Sequence, residues 1–122
     1  MADNKTIMIV EDDMVISLVI DKMVRALGYT VVGKATSGPE AIEKVLELKP
    51  HIILMDIRIK GDMDGVDTVI KIREELDVNV IFLTGNSDKL NYNRAEKAGF
   101  VDLITKPFTM VDLEGALKKI NE

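Results

Sequence analysis

The chain has 122 residues, enough for one domain with a sizeable core, and its 47% hydrophobic and 30% charged residues are those of an ordinary soluble globular protein. Its 16 Lys+Arg against 21 Asp+Glu leave a net charge of −5, which argues against sequence-independent nucleic-acid binding, since that needs a basic face. The absence of cysteine excludes disulfides, thiolate catalysis and cysteine metal sites, and the single His51 excludes a histidine cluster; oxygen-ligand chemistry with Mg²⁺ or Ca²⁺ stays open.

Residues 1–5 lack the apolar core of a signal peptide, and no apolar run approaches about 18 residues, so a cytoplasmic protein without membrane contact is expected. Thr6–Val10 reads as a strand apolar on both faces, and it stops abruptly at Glu11-Asp12-Asp13. Residues 14–27 form an amphipathic helix, with Asp13 as N-cap and Gly28 past its end. Its apolar face is Ile16, Val19, Ile20, Met23 and Leu27, with Ser17, Asp21 and Arg25 opposite. Thr30–Ala35 is a less apolar strand, expected at an edge. Ser37-Gly-Pro-Glu40 is a capping box opening a helix that buries Ala41, Ile42, Val45 and Leu48 and ends before Pro50.

Ile52-Ile-Leu-Met55 is the strongest strand, apolar on both faces and closed by Asp56. A lone carboxylate is too costly to bury, so Asp56 belongs at the rim of the sheet. His51 reads as a surface residue opening this strand, and the 7 methionines as core filling. A loop over residues 57–64 leads to a helix over 65–76, with Val66, Val69, Ile70 and Leu76 inward. Residues 79–83 form a strand ending at Thr84-Gly85. The helix over 88–98 has a thin apolar stripe (Leu90, Ala95, Ala98), which makes it the weakly held element. Residues 101–105 are the last strand, Lys106-Pro107-Phe108 follows, and Thr109 with Asp112 caps the final helix. Strands alternating with helices in this way imply a parallel α/β sheet covered on both sides, a three-layer sandwich spanning 1–122 as a single domain.

In a parallel sheet all strand ends lie on one rim, so Glu11, Asp12, Asp56, Thr84 and Lys106 converge there. Two carboxylates about 4 Å apart repel by about 4 kcal/mol at an effective dielectric of 20. Such a cluster protonates or recruits a cation, and the oxygen donors suit Mg²⁺. Thr84 and Lys106 suit an anion, so the set reads as a site for a phosphoryl group, with aspartate a competent nucleophile. Taken singly, each residue is better explained as a cap, a turn or a solvated strand end; the case rests on the five together.

Glu11-Asp12, Asp56, Met63-Asp64-Gly65, Thr84-Gly85 and Lys106-Pro107-Phe108, in this order, resemble the receiver domain of two-component response regulators along the whole chain. The resemblance implies a flavodoxin-like, doubly wound fold with strand order 2-1-3-4-5, the order the chemotaxis receiver is known for. It implies a phosphorylation switch rather than an enzyme in the usual sense, with Asp56 accepting a phosphoryl group from a sensor histidine kinase or phosphotransfer protein. Mg²⁺ would be held by Asp12 and Asp56 directly, by Glu11 through water and by the backbone carbonyl of Arg58. Thr84 and Lys106 would grip the phosphoryl oxygens, the Lys106-Pro107 bond would be cis, and a downstream protein would read the face of helix 88–98 and strand 101–105. No effector domain is expected within the chain.

Three departures are specific to this sequence. The loop after Asp56 has no proline and is one residue longer than the common form, Gly85 stands where alanine is commoner, and Leu103 stands where Tyr or Phe is usual. A haloacid-dehalogenase-type phosphatase would want an acid two residues after Asp56, where this chain has Arg58. A flavin-binding module would want a hydroxyl- and glycine-rich loop after the first strand, where three acids stand. A receiver that only binds partners is argued against by the intact five-residue set. Arg58 reads either as a solvated charge on a surface loop or as a group that reaches the acidic pocket, offsetting carboxylate repulsion in the free protein and then shielding the phosphorylated aspartate, with Asn86 flanking the same path.

Overall fold

The computed structural model describes residues 5–85 and 89–120, with the main chain alone for 89 and 90. The strands β1 (Thr6–Val10), β2 (Thr30–Ala35), β3 (Ile52–Asp56), β4 (Asn79–Thr84) and β5 (Asp102–Thr105) form one sheet in the order β2-β1-β3-β4-β5. Every pairing is parallel. The helices between and after them are α1 (Met14–Ala26), α2 (Gly38–Leu48), α3 (Gly65–Arg73), α4 (Lys89–Ala98) and α5 (Met110–Ile120). The covered parallel sheet expected from the strand–helix alternation is observed, and so are the flavodoxin-like architecture and strand order that the resemblance implies.

Alternation along each strand divides the core into two layers. Met8, Val10, Ile53, Met55, Val80 and Phe82 face α2, α3 and α4 through Ala41, Val45, Val66, Val69, Ile72 and Ala95. Ile7, Ile9, Ile52, Leu54, Ile81 and Leu83 face α1 and α5 through Ile20, Val24, Leu113 and Leu117. All five residues of β3 are buried, and a fully buried Ile or Leu contributes about 1.5–3 kcal/mol. This central strand therefore anchors both layers and fixes where its last residue, Asp56, emerges.

The caps follow the sequence with one refinement. Asp13 accepts from Val15 and Ile16 N–H at 2.9 and 3.1 Å. Thr109 and Asp112 cap each other, at 2.9 and 3.2 Å. Ser37 accepts from Glu40 N–H at 3.4 Å, but Glu40 reaches one residue further back than a capping box requires, to Thr36 N–H at 2.8 Å.

The faces of three helices differ from expectation. In α1, Ser17 and Asp21 are buried and Val24 is inward, while Val19 is half exposed. The helix flanks the β2 edge, where Lys34 lies 2.7 Å from Asp21 and Arg25 pairs with the same carboxylate. Burial pushes the Asp21 carboxyl up, but the bonds from Lys34 and Arg25 outweigh it and hold the group below its ordinary range. In α3, Ile72 and Thr68 are buried and Ile70 is exposed, and the helix ends at Arg73, short of residue 76. Leu48 of α2 is exposed, and of the methionines only Met8 and Met55 are core among the described residues.

Candidate functional site

The carboxyl ends of the strands bring the five expected residues to one rim. Glu11 follows β1 and continues the sheet, its N–H donating to Ala35 O at 3.0 Å. Glu11 and Asp56 are almost fully buried, while Asp12 is partly exposed. Glu11, Asp12 and Asp56 each offer a carboxylate oxygen within 4.8 Å of the others. Two buried carboxylates and a third at the mouth form an all-oxygen donor set, which fits a hard divalent cation such as Mg²⁺.

Lys106 supplies the local positive charge. Its Nζ lies 2.9 Å from Glu11 Oε1 and 3.0 Å from Asp56 Oδ2. Burial lowers the tendency of this ammonium to hold its proton, but the bonds to Glu11 and Asp56 outweigh that and raise it. Three carboxylates and one ammonium leave two negative charges in the pocket. Lys106 thus offsets part of the carboxylate repulsion here. Its backbone joins the strand ends as well, since Lys106 N–H donates to Thr84 O at 2.7 Å, and the Lys106-Pro107 bond is cis as expected.

The other oxygens of the two buried acids are held by backbone. Asp13 N–H donates to Glu11 Oε2 at 3.0 Å, and Arg58 N–H donates to Asp56 Oδ1 at 3.3 Å. Thr84 stands at the rim with its hydroxyl donating to Gly85 O at 3.2 Å. Asn86 lies outside the described residues.

The proline-free loop after Asp56 bends at Ile57 and Arg58 and pairs again at Lys60. Ile57 and Ile59 are buried while Arg58 and Lys60 are exposed, and Lys60 forms a parallel bridge with Ser37 at the start of α2. Burial of two isoleucines anchors the backbone where a proline would otherwise stiffen it. Gly65 then returns the chain against the site, with its N–H donating to Ile57 O at 2.7 Å. A Cβ at Gly65 would stand 2.2 Å from Asp56 O, so no other residue fits without backbone movement. The sequence reading placed Gly65 in a motif without giving it this role.

A metal-compatible acidic pocket at the switch of a doubly wound sheet, with an ammonium against two of its carboxylates, is the arrangement of a receiver domain. Residues 7–118 match the response regulator receiver domain, and the chain belongs to that family. It is similar to the chemotaxis protein CheY of Thermotoga maritima, with 34% identity over 97% of this chain and 98% of that one. It is also 34% identical to the probable C4-dicarboxylate response regulator DctR of Halalkalibacterium halodurans, over 95% of this chain but only 51% of that protein. Among solved structures, the response regulator domain of Thermotoga maritima CheB superposes with a TM-score of 0.86 at 26% identity, covering 98% of each chain. As a receiver, the chain is a phosphorylation-activated switch of two-component signalling rather than an enzyme that turns over a substrate. Receivers work with histidine kinases and downstream effectors and generally use Mg²⁺. Among the described residues, no helix is long and apolar enough to cross a membrane.

Proposed function

We propose that Asp56 is the phosphoacceptor, with Glu11, Asp12 and the Arg58 carbonyl completing the metal site and Thr84 and Lys106 holding the transferred group. The reading is carried by Asp56 ending the buried central strand with Lys106 Nζ 3.0 Å away and two further acids beside it. A carboxylate oxygen of Asp56 attacks phosphorus, a new P–O bond forms, and the P–N bond of the donor phosphohistidine breaks with its electron pair returning to the imidazole. Bound Mg²⁺ supplies charge neutralisation for the phosphoryl oxygens. Lys106 is already placed to follow the new charge, because its ammonium touches Asp56 Oδ2 before transfer. Thr84 must turn its hydroxyl from Gly85 O to reach the same group.

The donor is a sensor histidine kinase or phosphotransfer protein. An open apolar groove of ≈ 460 Å³, lined by Val15, Val19, Met23 and Phe108, shares Lys106 with the site and gives a protein donor a surface beside Asp56. Output to a downstream protein runs through the α4–β5 face, where β5 is an edge strand and Tyr92 is half exposed. Incubation with acetyl phosphate and Mg²⁺ is expected to add one alkali-labile phosphoryl group, mapped to Asp56 by peptide mass analysis, and chelation is expected to prevent it. Uptake at another residue, or equal uptake after chelation, overturns the reading.

Arg58 is expected to protect the product. Its backbone is tied to Asp56 and the residue is exposed at the mouth of the pocket, where a forked guanidinium over the phosphoryl oxygens obstructs the attacking water. Arg58→Ala should therefore lose its phosphoryl group several-fold faster at fixed Mg²⁺ while still gaining it at Asp56. Decay at the wild-type rate or slower leaves Arg58 without this role.

A further inference from the structure

α4 is held to the body of the protein by charge as well as by packing. Among its described side chains Ala95 is buried, Ala98 is partly buried and Tyr92 meets the Phe100 ring edge-on at 6.2 Å, while Arg94 makes a cluster of ionic contacts with the start of α3. Arg94 Nη1 and Nη2 donate to Asp64 Oδ2 and Oδ1 at 2.8 and 3.2 Å, a forked pair, and Nη2 also donates to Asp67 Oδ1 at 2.9 Å. Asn91 Oδ1 orients the guanidinium from within α4 at 2.9 Å. Asp64 is simultaneously the N-cap of α3, accepting from Asp67 N–H at 2.9 Å. Burial pushes its carboxyl up, but the bonds from Arg94 and the backbone outweigh this and hold it low.

What Asp64 is joined to gives this clasp its meaning. The next residue, Gly65, is pressed against the carbonyl of Asp56 and bonded to Ile57 O at 2.7 Å, so the start of α3 has no freedom to follow a moving α4. On the other side, only residues 86–88 separate Gly85 from Lys89 of α4, and each spans at most ~3.5 Å. A rearrangement of the chain at Thr84 and Gly85 is thus three residues from α4 in sequence, while the clasp ties α4 to the α3 start that lies against Asp56.

We propose that the Arg94–Asp64–Asp67 clasp is a latch of the resting state, and that Arg94 couples the occupancy of Asp56 to the docking of α4. The proposal rests on Asp56 being the phosphoacceptor. Coupling of this kind is reciprocal: whatever releases α4 must tighten binding at Asp56 by the same factor.

The test is the affinity of the whole chain for beryllofluoride at saturating Mg²⁺, read by fluorine NMR, in the wild type, Arg94→Gln, Arg94→Lys and Asp67→Asn. Arg94→Gln is expected to bind about fivefold tighter or more, Arg94→Lys less so because a point charge keeps part of the clasp, and Asp67→Asn in the same direction. Asp67→Asn leaves the Asp64 cap intact and decides the matter if Arg94→Gln does not fold. Unchanged or weaker binding in both Arg94→Gln and Asp67→Asn overturns the latch, reducing the clasp to a structural contact. Wild-type protein that does not bind beryllofluoride at all overturns instead the assignment of Asp56.

Discussion

Asp56→Asn is expected to take up no phosphoryl group from acetyl phosphate and to bind Mg²⁺ at least about tenfold more weakly, about 1.4 kcal/mol. The amide oxygen is a poor nucleophile and carries no charge, so the variant loses both the attacking atom and one of three carboxylates facing the cation. The fold survives because two terms of opposite sign change together. Removing the charge relieves repulsion from Glu11 and Asp12, and it also loses the attraction of Lys106 at 3.0 Å. An amide oxygen still accepts from Arg58 N–H, and Lys106 keeps Glu11 at 2.9 Å. Denaturant unfolding beside the labelling assay separates chemistry from stability. Stoichiometric labelling of a folded Asp56→Asn protein would sink the assignment.

Gly65→Ala is expected to destabilise the chain by about 3 kcal/mol, the upper end for overpacking, and to slow phosphorylation at Asp56 by about tenfold or more. The added methyl would stand 2.2 Å from Asp56 O, 2.9 Å from Ile57 Cα and 3.0 Å from Asp56 C, and all three are backbone atoms. No side-chain rotation relieves such a contact. Either α3 withdraws, losing the 2.7 Å bond from Gly65 N–H to Ile57 O, or the end of β3 moves and carries the nucleophile with it. Gly85→Ala is the control, since its Cβ would meet nothing within 4 Å and its backbone is not in the left-handed region. Urea midpoints and the rate of labelling give the comparison. A Gly65→Ala protein as stable and as fast as Gly85→Ala would show that the contact is soft.

Much of this protein was legible in the residues alone, for a reason that lies in periodicity. Strands apolar on both faces, such as Ile52–Met55, allow only a covered parallel sheet, and a carboxylate closing one must emerge at its rim. Parallel order then gathers the residue after each strand on one edge, so Glu11, Asp12, Asp56, Thr84 and Lys106 were identifiable without coordinates. Caps were legible for the same local reason: Asp13, Ser37 and Thr109 bond to groups two to three residues away.

Tertiary structure decided what depends on distant partners. Ser17 and Asp21 looked solvent-facing because helical spacing says nothing of the β2 edge beside them, where Lys34 supplies the charge that lets Asp21 be buried. Lys106 meets the pocket because the bond from its N–H to Thr84 O sets it beside the ends of the neighbouring strands, with its ammonium between Glu11 and Asp56, 95 and 50 residues away. Arg94 carried no signal in the sequence at all. Its partners Asp64 and Asp67 lie 30 and 27 residues earlier, and only the packing of α4 against the start of α3 brings opposite charges within bonding distance. Local patterns determine which face of an element is apolar and where it ends; which charge meets which across the fold is settled by the three-dimensional packing of elements that the chain order leaves far apart.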